Sequence, residues 1–431
     1  MDLAYYGDDF TGSTDVLEAL ASAGLAAELC VSTNATASLI ASGRSPSAIG
    51  LAGMSRTFPP AAMDTDLLPA LQVLASARPR FLHYKVCSTF DSSPHIGSIG
   101  RAIELGRQSA PARHTPVLAA APHLGRWSAF GTLFARSGLD SPVYRLDRHP
   151  TMSRHPVTPM DEADLRLVLA RQTSLPTTLI DLPTLDRGVE AVLASIERAP
   201  DGVVLFDATS TAHLATIGAT LDRLQRQNDE TLFVVGSSGI EASLVAAGAL
   251  GSSDAASPPA TLPASPLLAI VGSRSPVTAR QVEVAGRHGF VEVTITPRTT
   301  DAELTTILAC ATTAHQMGPG LLLRPGDGDF AALAGTDLGR LLGRIAGMIL
   351  DAVPFRRIVV AGGDTSGEVA RHLGIDSLRF EAPLAPGAPW CRVTSARPTI
   401  AGAVFAFKGG QVGRDDFFVV AADAPAPEER S

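Results

Sequence analysis

The segment YYGDDFTGSTD, beginning at Tyr5, places two adjacent carboxylates, Asp8 and Asp9, directly after a short apolar run and Gly7, with Thr11, Gly12 and Ser13 leading into helical spacing. Adjacent side chains cannot both face the same way, so one carboxylate can meet a substrate while the other caps the helix or orients its neighbour. The structural alternative, in which both carboxylates and Thr11 only cap the helix, weighs equally on this motif alone. A second constellation, HYKVCSTFDSSPHIGSIG, brings Lys85 to the end of an apolar stretch, followed by Ser88, Thr89, Asp91, Ser92 and Ser93. A strand-end lysine can pair with a substrate carboxylate or stabilise a phosphate in transfer, with hydroxyls completing its surroundings. The alternative is a lysine that snorkels out of its strand into a polar turn. Arg56, in GMSRTFP, can clamp a carboxylate through two parallel hydrogen bonds, although Arg56, Trp127 and Thr158 taken singly read as surface or packing residues.

The second half of the chain carries a different chemistry. VGSRSPVTARQ sets Gly272, Ser273 and Ser275 before Pro276, a residue suited to the first position of a helix. Free backbone N–H groups at such a start favour phosphate. IVVAGGDTSGEVA follows four apolar residues with Gly362, Gly363, Asp364, Thr365, Ser366 and Gly367, and FKGGQVGRDDFF adds Lys408, Gly409, Gly410 and Gly413. Paired glycines let backbone approach a ligand closely, and successive N–H groups can cradle phosphates. Neither loop is a Gly-x-x-x-x-Gly-Lys-Ser/Thr nor a Gly-x-Gly-x-x-Gly fingerprint. Two glycine turns in one half, one bearing a lysine, favour a nucleotide site over plain structural turns.

These residues must be positioned by strands and helices. Residues 3–6 read as a strand, 13–23 as a helix, and 28–31, 47–54, 81–86, 117–120, 178–181, 202–207 and 231–235 as further strands. The alternation restarts with strands at 267–272, 291–295, 320–324 and 357–360, and helices at 275–289, 304–315 and 336–352. Such alternation predicts an α/β protein of two doubly wound domains. The run GSSDAASPPATLPASP, residues 251–266, has no periodicity and is the expected linker between domains at 1–250 and 267–422. The final APAPEERS reads as a frayed polar tail.

At 431 residues two cores are the natural expectation, and 45% hydrophobic with 18% charged residues is an ordinary globular composition. A net charge of −8 without a Lys/Arg cluster gives no attraction to nucleic acid. Four scattered cysteines, Cys30, Cys87, Cys310 and Cys391, suggest neither a disulfide framework nor a zinc site. No window reaches the length of a membrane span and no basic-apolar leader opens the chain, so the expectation is a cytoplasmic protein.

Taken together, GDDFTGSTD, YKVCSTFDS, HPVTPM, VGSRSPVTARQ, GGDTSGEV and KGGQVG resemble, in order and across nearly the whole chain, the four-carbon acid sugar kinases. The KVCSTFDSSPHIGSIG segment looks closer to the oxo-tetronate kinase branch than to members with a KxDSTLRGN-like version. The resemblance implies an N-terminal domain that binds the acid and a C-terminal domain that binds nucleotide. It implies transfer of phosphate from ATP, with Mg²⁺, to a threonate, erythronate or 3-oxo-tetronate type acid. Carried onto this sequence, it puts Asp8, Asp9, Lys85, Ser88 and Thr89 toward the acid, beside Arg56. It puts Ser273, Gly362, Gly363, Asp364, Thr365 and Gly409 toward ATP, with Ser275 and Gly410 as their neighbours. Asp8 or Asp9 is the expected group that orients or deprotonates the acceptor hydroxyl, and Lys85 the expected charge stabiliser, with closure about the linker bringing the reactants together. No metal ligands are assigned, and a homodimer is left open. Two rivals stay in view: an ATP-independent lyase or aldolase using Lys85 as a Schiff-base amine, and a sugar-acid sensor that closes on ligand without chemistry.

Overall fold

The computed structural model describes residues 1–44, 46–138, 141–155, 157–251, 262, 265–326 and 335–423. Most of the expected linker at 251–266 and the whole tail at 424–431 lie outside the described residues. The remainder divides into two compact units: Met1–Asp8, Ala19–Ala27 and Thr36–Ala256 form the first, and Asp9–Glu18, Glu28–Ala35 and Ser257–Ser431 the second.

In the first unit the strands are β1 (Leu3–Gly7), the start of β2 (Ala27–Cys30), β3 (Ala48–Ala52), β4 (Phe81–Lys85), β5 (His114–Leu118), β6 (Arg126–Ala129), β7 (Thr132–Arg136), β8 (Val143–Arg145), β9 (Thr177–Ile180), β10 (Gly202–Phe206) and β11 (Leu232–Gly236). The main sheet runs β3-β1-β4-β11-β5-β10-β9 with every pair parallel. The sequence reason is that LAYYG, AIGLA, FLHYK, GVVLF and LFVVG are short and, His83 and Lys85 apart, apolar rather than alternating, as strands covered on both faces must be. All five are buried at every position. Burying a Val, Leu or Phe side chain stabilises by about 1.5–3 kcal/mol, so these strands hold the parallel order firmly. Strands β6, β7 and β8 form a small antiparallel sheet that the sequence reading did not anticipate. RWSA, TLFAR and VYR are half-exposed and polar, so they lack the hydrophobic run that marks the other strands.

The second unit holds β12 (Leu267–Val271), β13 (Val291–Ile295), β14 (Gly320–Pro325), β15 (Arg357–Ala361), β16 (Ile375–Ala385), β17 (Ala388–Ser395) and β18 (Val404–Lys408). Strands β13-β14-β12-β15-β18 are parallel, whereas β17 and β16 continue the sheet antiparallel. At the far edge, Leu29 and Cys30 of β2 pair antiparallel with Leu378 and Ser377 of β16. Glu28, 2% exposed, accepts from Ser377 Oγ at 2.6 Å and from Arg379 Nε at 3.0 Å. The doubly wound pattern therefore covers only the parallel part of this unit; a long hairpin completes it. The core under β12, β15 and β18 is closed by Trp390 and by Phe417 and Phe418 of the C-terminal helix Phe417–Asp423. Arg357, 1% exposed, ties that helix down by donating to the carbonyls of Ala421, Ala422 and Leu262.

Candidate functional site

In an open parallel sheet the carboxyl ends of the strands are where side chains and free N–H groups converge on a ligand. Strand register does this first in the N-terminal unit, where Gly7 lies opposite both Ala52 and Lys85, and Lys85 opposite Gly236. The chain leaving β1 is pinned on both sides, because Asp8 N donates to Lys85 O at 2.9 Å and Arg56 N donates to Asp8 O at 3.1 Å. Asp8, Arg56 and Lys85 thus come from three adjacent strand ends, although they lie far apart in sequence.

The carboxylate of Asp8 is 5% exposed and takes both arms of Arg56, Nη2 to Oδ1 at 2.9 Å and Nε to Oδ2 at 3.2 Å. Arg56 thus makes two parallel hydrogen bonds to a carboxylate of its own chain, Asp8. Asp9 takes the other role, since its Oδ1 accepts from Gly12 N at 2.5 Å at the start of the helix Phe10–Ser22. The adjacent pair therefore divides its work, one carboxylate set beside Arg56 and one at a helix N-terminus. Lys85 is 4% exposed at the end of β4, and Ser88 stands half-buried in the turn that follows. Thr89 Oγ1 donates to Asp91 Oδ1 at 2.6 Å, with both residues buried. Phe90 between them is fully buried with φ 55°. A left-handed backbone is strained for a side chain of that size, and the turn at Thr89–Asp91 holds it in place.

Tyr84, one residue before Lys85, shares a hydrogen bond of 2.8 Å with Ser55 Oγ. Burial, and then the Asp8 charge, push its phenol far above the ordinary value. It stays neutral and serves as a fixed donor or acceptor beside Arg56. Nothing in the sequence reading singled out Tyr84 or Ser55, whereas Asp91 was named there with the dense polar run after Lys85. Trp127 lies on the small sheet with Arg136 over its ring at 5.8 Å, and Thr158 bonds His155 Nδ1 through N at 3.1 Å and Oγ1 at 3.0 Å. A further strand-end carboxylate, Asp207, accepts from Ser128 Oγ at 2.7 Å and Gly131 N at 3.0 Å. Burial raises its pKa, and its bonds fasten the hairpin of β6 and β7 to β10.

The second convergence lies in the other unit, at the ends of the adjacent strands β12, β15 and β18. Gly272 N and Ser273 N both donate to Ala361 O at 2.9 Å, and Gly362 N donates to Lys408 O at 2.9 Å. All three glycine turns singled out in the sequence are therefore laced together. Gly362 has φ 132°, a backbone that side-chain-bearing residues rarely adopt, and the chain enters the helix Gly363–His372 directly after it. Gly363 and Asp364 are exposed at the helix start while Thr365 is 5% exposed. Ser275 caps the helix Pro276–Arg287 by accepting from Thr278 N at 3.1 Å. The carbonyl of Gly410 receives the Ser275 hydroxyl and, at 2.8 Å, the Thr278 hydroxyl. A Cβ at Gly410 would stand 2.5 Å from Ser273 Oγ and 3.2 Å from Ser275 Cβ, so a side chain there would have to push both serines aside. Gln281, fully buried, points its amide nitrogen at the carbonyls of Val412, Gly413 and Arg414, at 3.1, 3.1 and 2.9 Å, and so fixes the rest of the loop. Two helix N-termini and a glycine turn thus meet here, an arrangement whose dipoles favour an anion such as phosphate.

Comparison with known proteins agrees with this division of labour. A family described as the sugar-binding N-terminal domain matches residues 3–244, and one described as the nucleotide-binding C-terminal domain matches residues 268–418. The chain is 44% identical to the 3-oxo-isoapionate kinase of Paraburkholderia graminis, over 96% of this chain and 93% of that one. It is 33% identical to the 3-oxo-tetronate kinase of Pseudomonas fluorescens, over 96% and 95% respectively. A solved structure from Haemophilus influenzae superposes with a TM-score of 0.73 at 21% identity, covering 97% of this chain and 99% of that one, which bears on the fold alone. With both halves matched and the two convergences in place, the chain belongs to the four-carbon acid sugar kinase family.

Proposed function

We propose that this kinase transfers the γ-phosphoryl group of Mg·ATP to a hydroxyl of a 3-oxo sugar acid, with the branched 3-oxo-isoapionate as the first candidate and the 3-oxo-tetronates next. The observation that carries the choice of acid is the 44% identity to the 3-oxo-isoapionate kinase, against 33% to a 3-oxo-tetronate kinase. The acid binds among Asp8, Arg56, Lys85, Ser88 and Thr89, and the polyphosphate on Ser273, Ser275, Gly362, Gly363, Asp364, Thr365, Gly409 and Gly410.

Phosphoryl transfer asks the protein for positioning and charge rather than covalent chemistry. The acceptor oxygen forms a bond to the γ-phosphorus as the bond from phosphorus to the β–γ bridging oxygen breaks, and ADP leaves with that electron pair. Asp8 accepts the hydrogen bond of the attacking hydroxyl and then its proton. Arg56 holds Asp8 in a fixed orientation and offers its outer face to the carboxylate of the acid. Lys85 offsets the charge on the phosphoryl oxygens. Asp9, engaged at the helix start, sets the direction in which Asp8 points.

Among the described residues no three His, Cys, Asp or Glu side chains cluster as a metal cage. The residues fit a cation that arrives on the nucleotide, as Mg²⁺ commonly does, with the exposed Asp364 at the phosphate loop as a carboxylate able to reach its water shell. When bound it neutralises charge on the phosphates.

The test is incubation with Mg·ATP and a panel of 3-oxo-isoapionate, 3-oxo-tetronates, threonate and erythronate, following ADP release and the mass of the acid. Phosphorylation of 3-oxo-isoapionate in preference to the unbranched acids is expected. A preference for threonate or erythronate would overturn the choice of acid, and transfer to none of them would overturn the reading as a whole.

A further inference from the structure

Lys408 closes β18 immediately before the Gly409–Gly410 turn, yet its side chain has no exposure at all. Its ammonium touches one polar partner, Thr278 Oγ1 at 3.2 Å, and lies 5.5 Å from the centre of the Phe417 ring. The elements packed around it bring no compensating charge. The helix Pro276–Arg287 presents Thr278 and Gln281, while its Arg280 turns outward to Asp415. The helix Phe417–Asp423 presents Phe417, and the neighbouring strands present Ala361 on β15 and Trp390 beside Ala406 on β17. Arg357, further up β15, is directed to the carbonyls at 421, 422 and 262. A buried ammonium with a single hydroxyl partner is costly to the fold and is explained only by something the fold itself does not contain.

What it adjoins is the nucleotide cradle. Thr278 Oγ1 accepts from Lys408 Nζ and donates its own hydrogen to Gly410 O, and the backbone carbonyl of Lys408 receives Gly362 N. Lys408, itself at the start of one glycine turn, is therefore bonded to the Gly362 turn through its backbone carbonyl and, through its side chain, to the helix that follows Ser275. We infer that Lys408 is a positioning residue for the nucleotide: held on Thr278, its ammonium fixes the Gly409–Gly410 turn and sets a positive charge beneath the polyphosphate. The inference rests on the nucleotide reading of this site and assigns it a cation where the backbone otherwise supplies only dipoles. Burial supports it by lowering the lysine pKa from 10.5 to about 8. The free protein thus begins to lose this charge just above neutral pH, and an arriving polyphosphate draws the proton back.

Calorimetric titration with Mg·ADP, alone and in two buffers of different ionisation heat, tests this on the full chain and its K408M, K408R and T278V variants. The parent should bind about tenfold more weakly a pH unit above the lysine pKa than well below it, with proton uptake in that range. K408M should bind more weakly near neutral pH, without proton uptake and with a flat pH profile. K408R should retain tight binding but lose the pH dependence, because a guanidinium stays charged. T278V, which keeps the charge and cuts the link, should weaken ADP binding while leaving the proton uptake. In turnover the loss should fall on KM for ATP rather than on kcat or on KM for the acid. A K408M protein with a cooperative melt and the parent's affinity and pH profile overturns the inference, as does unchanged ADP binding in T278V if K408M does not fold. No ADP heat from the parent overturns the nucleotide reading itself, and the inference with it.

Discussion

Replacing Lys408 by methionine should make the protein more stable near neutral pH while it weakens nucleotide binding. The lysine titrates at about 8 in the folded chain against 10.5 ordinarily, with burial as the cause. Each pK unit corresponds to about 1.4 kcal/mol, so the folded state carries a burial cost of about 3 kcal/mol wherever the amine is charged in both states. The sign follows from proton counting. Between about 8 and 10.5 the unfolded chain holds more protons than the folded one, so the parent's stability rises with pH across that window. Below it the full cost is present. Methionine removes the charge with little change in volume, at the loss of one hydrogen bond worth about 1 kcal/mol and a ring contact worth about 1 kcal/mol. Thr278 keeps its bond to Gly410 O and is not left unsatisfied. The expected gain is about 1–2 kcal/mol near neutral pH, shrinking to a loss once the parent lysine is neutral. Urea unfolding of both proteins at several pH values measures the difference directly, and other titrating groups cancel between them. Parallel stability curves, or a K408M protein much less stable near neutral pH, would refute the argument that the charge is uncompensated.

Other substitutions test the first site. Asp8→Asn should reduce kcat by about a hundredfold or more, whereas Asp9→Asn, which keeps an oxygen for Gly12 N, should stay within about threefold of the parent; equal losses in both would remove the division of roles. Arg56→Ala removes the two guanidinium hydrogen bonds from the buried Asp8 carboxylate and should cost about 2 kcal/mol in urea unfolding while raising KM for the acid. In the second site Gly410→Ala forces a Cβ toward Ser273 Oγ and should weaken ADP binding at unchanged acid binding. Glu18, half-buried and accepting from Gly387 N at 2.9 Å, titrates at about 7 against 4.5, chiefly because the surrounding protein desolvates it. A carboxylic acid with a raised folded pKa stabilises most below its ordinary value and loses that contribution as pH rises through about 7. Glu18→Gln should flatten the decline in Tm over that window, and an unchanged decline would show that other groups set it.

Much of the architecture could be read from the residues because parallel strands buried on both faces are continuous apolar runs. IVVA before Gly362 and FLHY before Lys85 announce both the strand and the place where it stops. The glycine turns were legible for a similar reason, since an exposed helix start after a buried strand leaves few structural uses for Gly-Gly. The hairpin β16–β17 and the sheet β6–β7–β8 were not legible. Their strands are half-exposed, and RFEAPLA or TLFAR carries too weak an alternation to separate from loop.

The sequence by itself determined which residue types could do chemistry and that they follow strands: the Asp8–Asp9 pair, Lys85, and the loops at Ser273, Gly362 and Gly409. Local physics suffices there, because a polar cluster after an apolar strand must lie at the sheet's carboxyl edge. The partner of each group came only from the tertiary structure. Register between β1, β3 and β4 sets Arg56 on Asp8 rather than leaving it at the surface, and the start of a helix claims Asp9. Packing of two helices over β18 buries Lys408, which the sequence offers only as the lysine of a glycine turn that favours nucleotide. Those outcomes depend on which strand ends become neighbours, and neighbours in a parallel sheet are chosen by long-range burial rather than by distance along the chain.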